Sequence, residues 1–242
     1  SFPTRRSSDL ARELSSLKGV LEPLQTEVTL EGQVTELKTI LDKYGNFPVT
    51  LIGFSWGAML SFIFTSKYPQ LVKKLILIGS SPYEEKYATD IVKTRISRLR
   101  REELINFLNL TEILNSPSAQ NRDNRNGALC SFGRLMSKAD AYNPLPYEDE
   151  LLECRYDIFK GVWEEASRLR ERGKLLELGK NISCRVVAFH GDYDPHPFEG
   201  VREPLSGVLK GFKFILLKNC GHRPWTEREA KERFYELLKK EI

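Results

Sequence analysis

The most informative part of the sequence is the stretch Val49–Phe62, VTLIGFSWGAMLSF. An apolar run leads to Ser55, which stands between Gly53 and Gly57, and a second apolar run follows it. A short apolar run of the first kind is typical of a buried strand in a parallel sheet. The second run has apolar residues nearly all round the helix and predicts a buried helix over residues 58–66. We therefore expect Ser55 on a sharp turn between a strand and a helix.

A serine at this place has a specific chemical use. Its hydroxyl is a weak nucleophile unless a neighbouring base removes the proton. Glycines two positions before and after Ser55 would relieve crowding in the turn, as in the G-x-S-x-G nucleophile elbow. The helix N-terminus would lie beneath the hydroxyl, and the backbone N–H of Trp56 would face a developing oxyanion. The alternative is a glycine-flanked serine in an ordinary tight turn. The presence of a matching base and acid elsewhere in the sequence distinguishes the two interpretations.

The candidate base and acid lie near the end of the chain. The sequence has three histidines, and His222 is the one placed between the last predicted strand and the last predicted helix. Asp192 and Asp194 follow the preceding strand, where a carboxylate would orient the imidazole and stabilise its charged form. We prefer Asp194 because it lies deeper in the loop, directly before a proline. Asp192 is the alternative acid, and we expect it to cap the turn.

A metal site is the rival interpretation of this region. His190, Asp192, Asp194 and His196 alternate along the chain, so on an extended strand all four would face one side as ligands of zinc. Gly191 and two prolines indicate instead that the strand ends near His190. We therefore predict no metal and no cofactor. A further alternative is a binding protein that keeps the fold without turnover.

Four apolar runs predict the strands of a parallel sheet. They begin at Val49, Leu75, Cys184 and Phe212. The segment 84–180 has no strand signal and is charged and helix-periodic, which predicts a helical insertion, while residues 11–83 and 181–242 form the two parts of the core. Ligands bind at the carboxyl edge of open α/β sheets, so we expect this insertion to be a lid. Thr226 and Glu229 predict a capping box for the last helix.

These motifs resemble one known family. GFSWG, HGDYDP and GHRPWTE, in this order and at these element ends, are similar to the α/β-hydrolase fold family, in the branch with a helical cap. The resemblance runs from about residue 32 to the end. It implies Ser55 as nucleophile, Asp194 as acid and His222 as base of a serine hydrolase. The bias toward aromatic and aliphatic residues indicates a small, apolar ester or amide as substrate, and it does not choose between an esterase, an aminopeptidase, a thioesterase and a lactonase. Relatives with an aspartate nucleophile, such as dehalogenases and epoxide hydrolases, are disfavoured because a serine occupies that position.

The sequence departs from the family's pattern before the elbow. The His-Gly motif that supplies a second oxyanion N–H is not found, and neither are the strands that usually precede the elbow strand. We therefore expect the chain to be truncated at its N-terminus, which leaves an inactive fragment as one alternative. The first ten residues, SFPTRRSSDL, match the translation of a common sequencing-adapter oligonucleotide, and we interpret residues 1–10 as an artefact.

Aromatic residues near the predicted rim and insertion are candidates for the substrate pocket. The alternative is that they pack within the core of the lid, which we favour for those in or next to the insertion. The candidates are Phe54, Tyr83, Tyr87, Tyr142 and Trp163.

Composition excludes some classes of function. The net charge of +4 comes from interspersed charges without a basic, aromatic-rich block, so nucleic-acid binding is not indicated. No apolar stretch reaches the roughly 18 residues of a membrane span. The cysteines are widely spaced, which predicts no disulfide framework, a reducing compartment and a cytoplasmic protein. A lost N-terminus would also remove any signal peptide. The sequence does not indicate an oligomeric state.

Overall fold

The computed structural model describes residues 8–116, 122–146 and 154–242. Its sheet has four parallel strands in the order β1-β2-β3-β4, which confirms the predicted α/β class. The strands are β1 Val49–Phe54, β2 Val72–Ile78, β3 Arg185–Gly191 and β4 Lys213–Leu217. The α-helices are α1 Asp9–Ser15, α2 Leu30–Tyr44, α3 Trp56–Lys67, α4 Ile91–Ser97, α5 Arg101–Asn115, α6 Arg122–Ala139, α7 Tyr156–Glu171, α8 Lys174–Glu177, α9 Glu199–Val208 and α10 Lys231–Lys239.

The topology brings the ends of all four strands to one rim. The strands are parallel and lie side by side in chain order, so their carboxyl ends are adjacent. Phe54 at the end of β1 pairs with Ile78 of β2, and Gly191 of β3 pairs with Leu217 of β4. The loops that carry the candidate site residues all leave from these ends. This is the rim at which open α/β sheets bind ligands.

Alternate residues of β2 contribute to two faces of the core, as the pleat of a strand requires. Leu75 and Leu77 pack in a cluster with α2, α3, α8 and α9, whereas Ile76 and Ile78 pack with α1 and α10. All four are fully buried. Burial of one such side chain contributes about 1.5–3 kcal/mol relative to exposure. Helix α3 is apolar nearly all round, as predicted, and its residues 58–66, including Phe62, are all buried.

The described residues of the predicted insertion form helices joined by loops, and no strand of the sheet lies among them. Helices α5, α6 and α7 bury their own apolar residues, and one cluster joins Leu110 and Leu114 of α5 to Ala128 of α6 and to Tyr156 of α7. Leu175 of α8, near the end of the predicted range, is fully buried in the core cluster beside α3. The bounds of the insertion stay a prediction.

The N-terminal residues are only partly described. Residues 1–7 of the segment interpreted as an artefact lie outside the described residues. Ser8 caps α1 by accepting the backbone N–H of Ala11 at 3.1 Å, and Leu10 packs against the cluster on the α10 side. The interpretation of residues 1–10 stays a prediction.

The expectation of unpaired cysteines is wrong for two of them. Cys130 in α6 and Cys154 just before α7 form a disulfide with a Cα–Cα distance of 5.5 Å, while Cys184 and Cys220 are free. Since disulfides are typical of oxidising compartments, the cysteines no longer support a cytoplasmic location. In the ranges that the structure covers, no helix has the length and apolar character to cross a membrane.

The predicted capping box at the last helix is also wrong. Helix α10 begins at Lys231, with Ala230 at the N-cap position. Thr226 lies earlier, in a 3-10 turn, and its hydroxyl donates to the carbonyl of Arg223 at 2.9 Å. Pro224, Trp225 and Thr226 form this extra turn, and the helix begins after it.

Candidate active site

Ser55 occupies the turn between β1 and α3. Its backbone has φ 53° and ψ −117°, a conformation that residues other than glycine rarely adopt. The Ser55 N–H donates to the carbonyl of Ile78 at 3.0 Å, which ties the turn to the end of β2. Backbone strain of this kind persists only where the surroundings hold it. The strand, strained serine and helix together have the geometry of a nucleophile elbow.

The two glycines that flank Ser55 are not equivalent. A Cβ atom on Gly53 would lie 2.2 Å from the carbonyl oxygen of Gly57 and 2.6 Å from the Cα of Ala58, both backbone atoms. A Cβ atom on Gly57 would meet nothing within 4 Å. Only the strand side of the turn therefore needs glycine on steric grounds. The expectation of the same need at Gly57 is wrong.

Asp194 lies at the centre of a cluster that contains all three histidines of the chain. Its Oδ2 lies 2.7 Å from Nδ1 of His222, and its Oδ1 lies 2.7 Å from Nδ1 of His196. Oδ1 also accepts the backbone N–H of His196 at 3.0 Å. Nε2 of His190 lies 3.5 Å from Oδ2 and 2.8 Å from the carbonyl oxygen of His196. A single carboxylate thus organises every imidazole in the protein.

The electrostatics of the cluster keep this carboxylate ionised. Burial by itself raises the pKa of Asp194, but attraction to the three histidines outweighs burial and holds that pKa well below its usual value. Burial lowers the pKa of His190 and of His196, so both favour the neutral form. Neutral His190 donates from Nε2, which leaves its buried Nδ1 without a hydrogen-bond partner. Asp194 is therefore a buried anion that the three surrounding imidazoles stabilise.

Asp192, the alternative acid, lies apart from the imidazoles. Its Oδ1 accepts the backbone N–H of Cys220 at 3.2 Å, and its Oδ2 lies 3.6 Å from Nζ of Lys218. These contacts join the loop after β3 to the loop after β4. Asp192 therefore ties the two loops together, whereas Asp194 contacts the ring of His222.

The ring of His222 lies above the ends of β1 and β2. Its centroid is 4.9 Å from that of Phe54, the residue before Ser55. A Cβ atom on Gly79 would lie 3.1 Å from Nδ1 of His222. The backbone N–H of Ser55 is hydrogen-bonded to the carbonyl of Ile78, the residue before Gly79. His222 and Ser55 therefore occupy the same part of the rim. The Ser55 hydroxyl forms no hydrogen bond with any described residue, so the structure does not join it to His222.

The backbone of the His222 loop is held from the insertion. The N–H of His222 donates to the carbonyl of Asp140 at 2.9 Å. The carboxylate of Asp140, with 6% of its side chain exposed, binds Arg95 of α4 through two hydrogen bonds of 2.7 and 2.6 Å. The insertion thereby contributes to the position of the candidate base.

Glu227 supports the same loop from within. Its buried carboxylate accepts the backbone N–H groups of Gly221 at 3.0 Å, Tyr142 at 2.8 Å and Asn143 at 2.8 Å. Sequence reasoning missed this role. The available signal was the glutamate at the end of GHRPWTE, but one acid among many charged residues does not indicate a structural anchor.

Trp56 is the first residue of α3. Its backbone N–H has no acceptor within the helix, as for any residue in the first turn. Its indole Nε1 donates to Oε1 of Gln33 at 2.8 Å, and Nε2 of Gln33 donates to the carbonyl of Glu27 at 2.9 Å. Gln33 has 1% of its surface exposed. The indole is therefore fixed toward α2, while the N–H at the helix end remains available.

Two of the aromatic pocket candidates have other surroundings. Tyr83 is fully buried, accepts a hydrogen bond from Ser80 at 3.2 Å and has its pKa raised by burial. The prediction that it lines a pocket is wrong, because it belongs to the core. Phe54 packs against the ring of His222 on one side and against Trp225 on the other, at a centroid distance of 4.7 Å. Phe54 therefore supports the candidate base.

The other aromatic candidates lie near the surface. Tyr87 packs against α9, where a Cβ atom on Gly200 would lie 2.7 Å from its Cβ. Trp163 stacks on Phe159 of the same helix and is 39% exposed. Tyr142 is 45% exposed. The ring of Tyr142 packs against that of Tyr193, the residue before Asp194, at a centroid distance of 5.3 Å. No contact among the described residues joins any of the three to Asp194 or to a histidine, so their role in a pocket stays a prediction.

The cluster has the composition but not the spacing of a metal site. Asp194, His196 and His222 offer ligand atoms within 4.8 Å of one another. Zinc ligands at about 2.0–2.2 Å in a tetrahedron would be roughly 3.3 Å apart, whereas Asp194 lies 2.7 Å from each Nδ1. Those nitrogens carry the hydrogen-bonded protons. Asp192 contacts other residues, so the four alternating residues do not converge as a metal interpretation requires.

Comparison with known proteins identifies the family. The model of the alpha/beta hydrolase fold matches residues 6–223. The chain therefore belongs to the α/β-hydrolase fold family.

Individual relatives are more distant. The chain is 41% identical over 50 residues to epoxide hydrolase 4 of Homo sapiens, a match that covers 21% of this chain and 14% of that protein. Its fold resembles that of VinJ, with a TM-score of 0.60, 18% identity and coverage of 88% of this chain and 72% of VinJ. An esterase from Exiguobacterium antarcticum has a TM-score of 0.60, 18% identity and coverage of 90% and 75%. The family supports a hydrolase, and the structural neighbours share its fold.

Proposed function

We propose that this chain is a serine hydrolase in which Ser55, His222 and Asp194 form the catalytic triad. One observation carries the proposal. The 2.7 Å contact between Asp194 and Nδ1 of His222 lies at the same rim as the strained serine of GFSWG. Ser55, Asp194 and His222 follow one another along the chain in the order that the triad has in this fold: serine, acid, histidine.

The mechanism follows from the tautomer of His222. Because Nδ1–H donates to Asp194, Nε2 carries the lone pair that accepts the Ser55 proton. The Ser55 oxygen then attacks an acyl carbonyl, and the Trp56 N–H donates to the oxyanion. The protonated imidazole gives its proton to the leaving group as the acyl-enzyme forms. Water, deprotonated by His222, attacks the acyl carbon and releases Ser55.

The substrate class is a small ester or amide, and no cofactor takes part in these steps. Epoxide opening is the alternative raised by the similarity to epoxide hydrolase 4. Relatives with that chemistry attack through an aspartate, and this chain has Ser55 at the corresponding position. Acyl transfer therefore agrees better with the residues present.

A non-catalytic binding protein is the second candidate. The observation that favours it is the Ser55 hydroxyl, which has no hydrogen-bond partner in the described part of the chain. Catalytic hydrogen bonds are often formed only when substrate is bound, so this observation does not oppose catalysis. Reactivity of the serine separates the two candidates.

The decisive experiment is labelling with a fluorophosphonate, which reacts with activated serines. We expect one adduct on the intact chain, at Ser55 by peptide mass spectrometry, and no adduct on the Ser55→Ala variant. Ser97→Ala is the matched control, since Ser97 is an exposed serine of α4 and should not affect labelling. His222→Ala should slow labelling by at least about 10³-fold, because the base is lost.

The possible contrary results have distinct meanings. Absence of an adduct on a folded wild-type chain would reject catalysis and favour the binding protein. Hydrolysis that a chelator stops, and that Ser55→Ala retains, would favour a metal enzyme.

A further inference from the structure

The contacts of Asp194 exceed what a triad needs. In the proposed mechanism one carboxylate oxygen orients His222, and the second oxygen has no assigned partner. Here that second oxygen, Oδ1, accepts both the Nδ1–H and the backbone N–H of His196, at 2.7 and 3.0 Å. Two imidazoles of the same tautomer therefore share one buried anion.

The local sequence builds this arrangement. Asp194, Pro195 and His196 form an Asx turn, in which the aspartate side chain accepts the backbone N–H two residues later. Pro195 restricts the backbone between the two residues, so little conformational freedom is lost when the turn forms. The ring of His196 is 5% exposed and lies 4.9 Å, centroid to centroid, from the ring of His222. The backbone N–H of His196 thus orients the carboxylate together with the ring, and this backbone contact is independent of the side chain.

From this geometry we propose that His196 is a positioning residue that shares the negative charge of Asp194 and so sets the pH range in which His222 acts as a base. The inference rests on the proposed function, in which His222 takes the Ser55 proton.

The physical reason is competition for one carboxylate. A hydrogen bond to Oδ1 stabilises the anion and disperses its charge, so Oδ2 attracts a protonated His222 less strongly. Without the His196 ring, Asp194 keeps its orientation through the backbone N–H and holds protonated His222 more tightly. The base would then remain protonated to a higher pH.

The surroundings keep His196 in the donor form. Burial lowers its pKa, and Arg95 of α4 acts in the same direction, against the attraction of Asp194. His222 faces it from the loop after β4, and His190 of β3 binds its carbonyl oxygen. Neutral His196 therefore donates from Nδ1 through the neutral pH range.

The test compares three variants of the full chain. His196→Leu fills the space without a donor and excludes water, His196→Ala removes the ring, and His196→Asn retains an N–H donor near the position of Nδ1. The measurement is the pH dependence of fluorophosphonate labelling at Ser55. We expect the acid half-point to rise by about half a pH unit in the Leu and Ala variants, with the high-pH rate within about 3-fold of wild type. His196→Asn should restore the wild-type profile.

Two results would overturn the proposal. One is an unmoved half-point in a folded Leu or Ala variant. The other is a fall in rate at every pH without a shift, which indicates a merely structural role.

An independent readout separates this proposal from the proposed function. The chain has three histidines, so the imidazole NMR signals can be assigned by single substitutions. The transition of His222 should move to higher pH in His196→Leu even if Ser55 does not react. Absence of labelling in wild type would reject the hydrolase proposal, whereas an unmoved His222 transition would reject the role of His196.

Discussion

The two halves of the candidate site are built in different ways. Asp194 and His222 are joined by a short hydrogen bond, and the loop of His222 is held by Asp140 from a distant part of the chain and by Glu227, which also binds the distant Tyr142 and Asn143. Ser55 is positioned mainly by the strained turn itself, with one backbone hydrogen bond to Ile78, and its hydroxyl has no described hydrogen-bond partner. The acid–base half thus depends on long-range contacts, while the nucleophile half depends on local geometry. Substitutions should affect them differently.

The largest expected effect concerns the acid–base half. Asp194→Asn keeps the shape of the side chain but replaces one acceptor oxygen by a donor, which opposes the Nδ1–H tautomer of His222. We expect labelling of Ser55 to slow by about 10⁴-fold, as for the equivalent change in a well-studied triad. The measurement is the labelling rate at the pH optimum.

Asp192→Asn is the matched control, because Asp192 contacts Cys220 and Lys218 instead of an imidazole. Its rate should stay within a few-fold of wild type. A greater loss for Asp192→Asn than for Asp194→Asn would exchange the roles of the two carboxylates.

The same contrast explains what sequence reasoning found and missed. The elbow around Ser55 is local, so apolar runs and glycine spacing were enough to predict its strand, turn and helix. The fold class followed from similar local signals. Asp194 was preferred from its place in the loop, and the structure brings it to His222, but the catalytic roles still await the labelling experiment.

The missed features depend on contacts between distant residues. Asn143 and Glu227 are 84 positions apart, and Arg95 and Asp140 are 45 apart. In a chain with 29% charged residues, no single acid or base indicates such an anchor. The pairing of Cys130 with Cys154 has the same origin, because cysteine spacing alone does not give connectivity.

An intermediate effect is expected in the nucleophile half, from Gly53→Ala. The added methyl group would lie against the backbone of α3, at 2.2 Å from the carbonyl of Gly57, and the turn would have to shift. Overpacking of this kind costs about 1–3 kcal/mol. Urea unfolding should show a lower free energy of unfolding by that amount.

Gly57→Ala provides the comparison at the other flank. A methyl group there meets nothing within 4 Å, and alanine favours a helix over glycine by up to about 1 kcal/mol. Its free energy of unfolding should stay the same or increase. Equal losses at both positions would show that crowding is symmetric, contrary to the structure.

The smallest expected effect tests how far the nucleophile half depends on its support from α2. Gln33→Met removes the acceptor for the indole of Trp56 and the donor to the carbonyl of Glu27, while nearly conserving volume. Loss of these two partly buried hydrogen bonds should lower the free energy of unfolding by about 1 kcal/mol each. Thr39→Ala, an exposed change on the same helix, is the control and should have less effect.

Labelling of Ser55 in Gln33→Met should change by less than about 3-fold, because the backbone N–H of Trp56, and not its indole, is the proposed oxyanion donor. A loss of labelling as large as that for Asp194→Asn would instead place the indole in the catalytic geometry, and the local account of the nucleophile half would then be wrong.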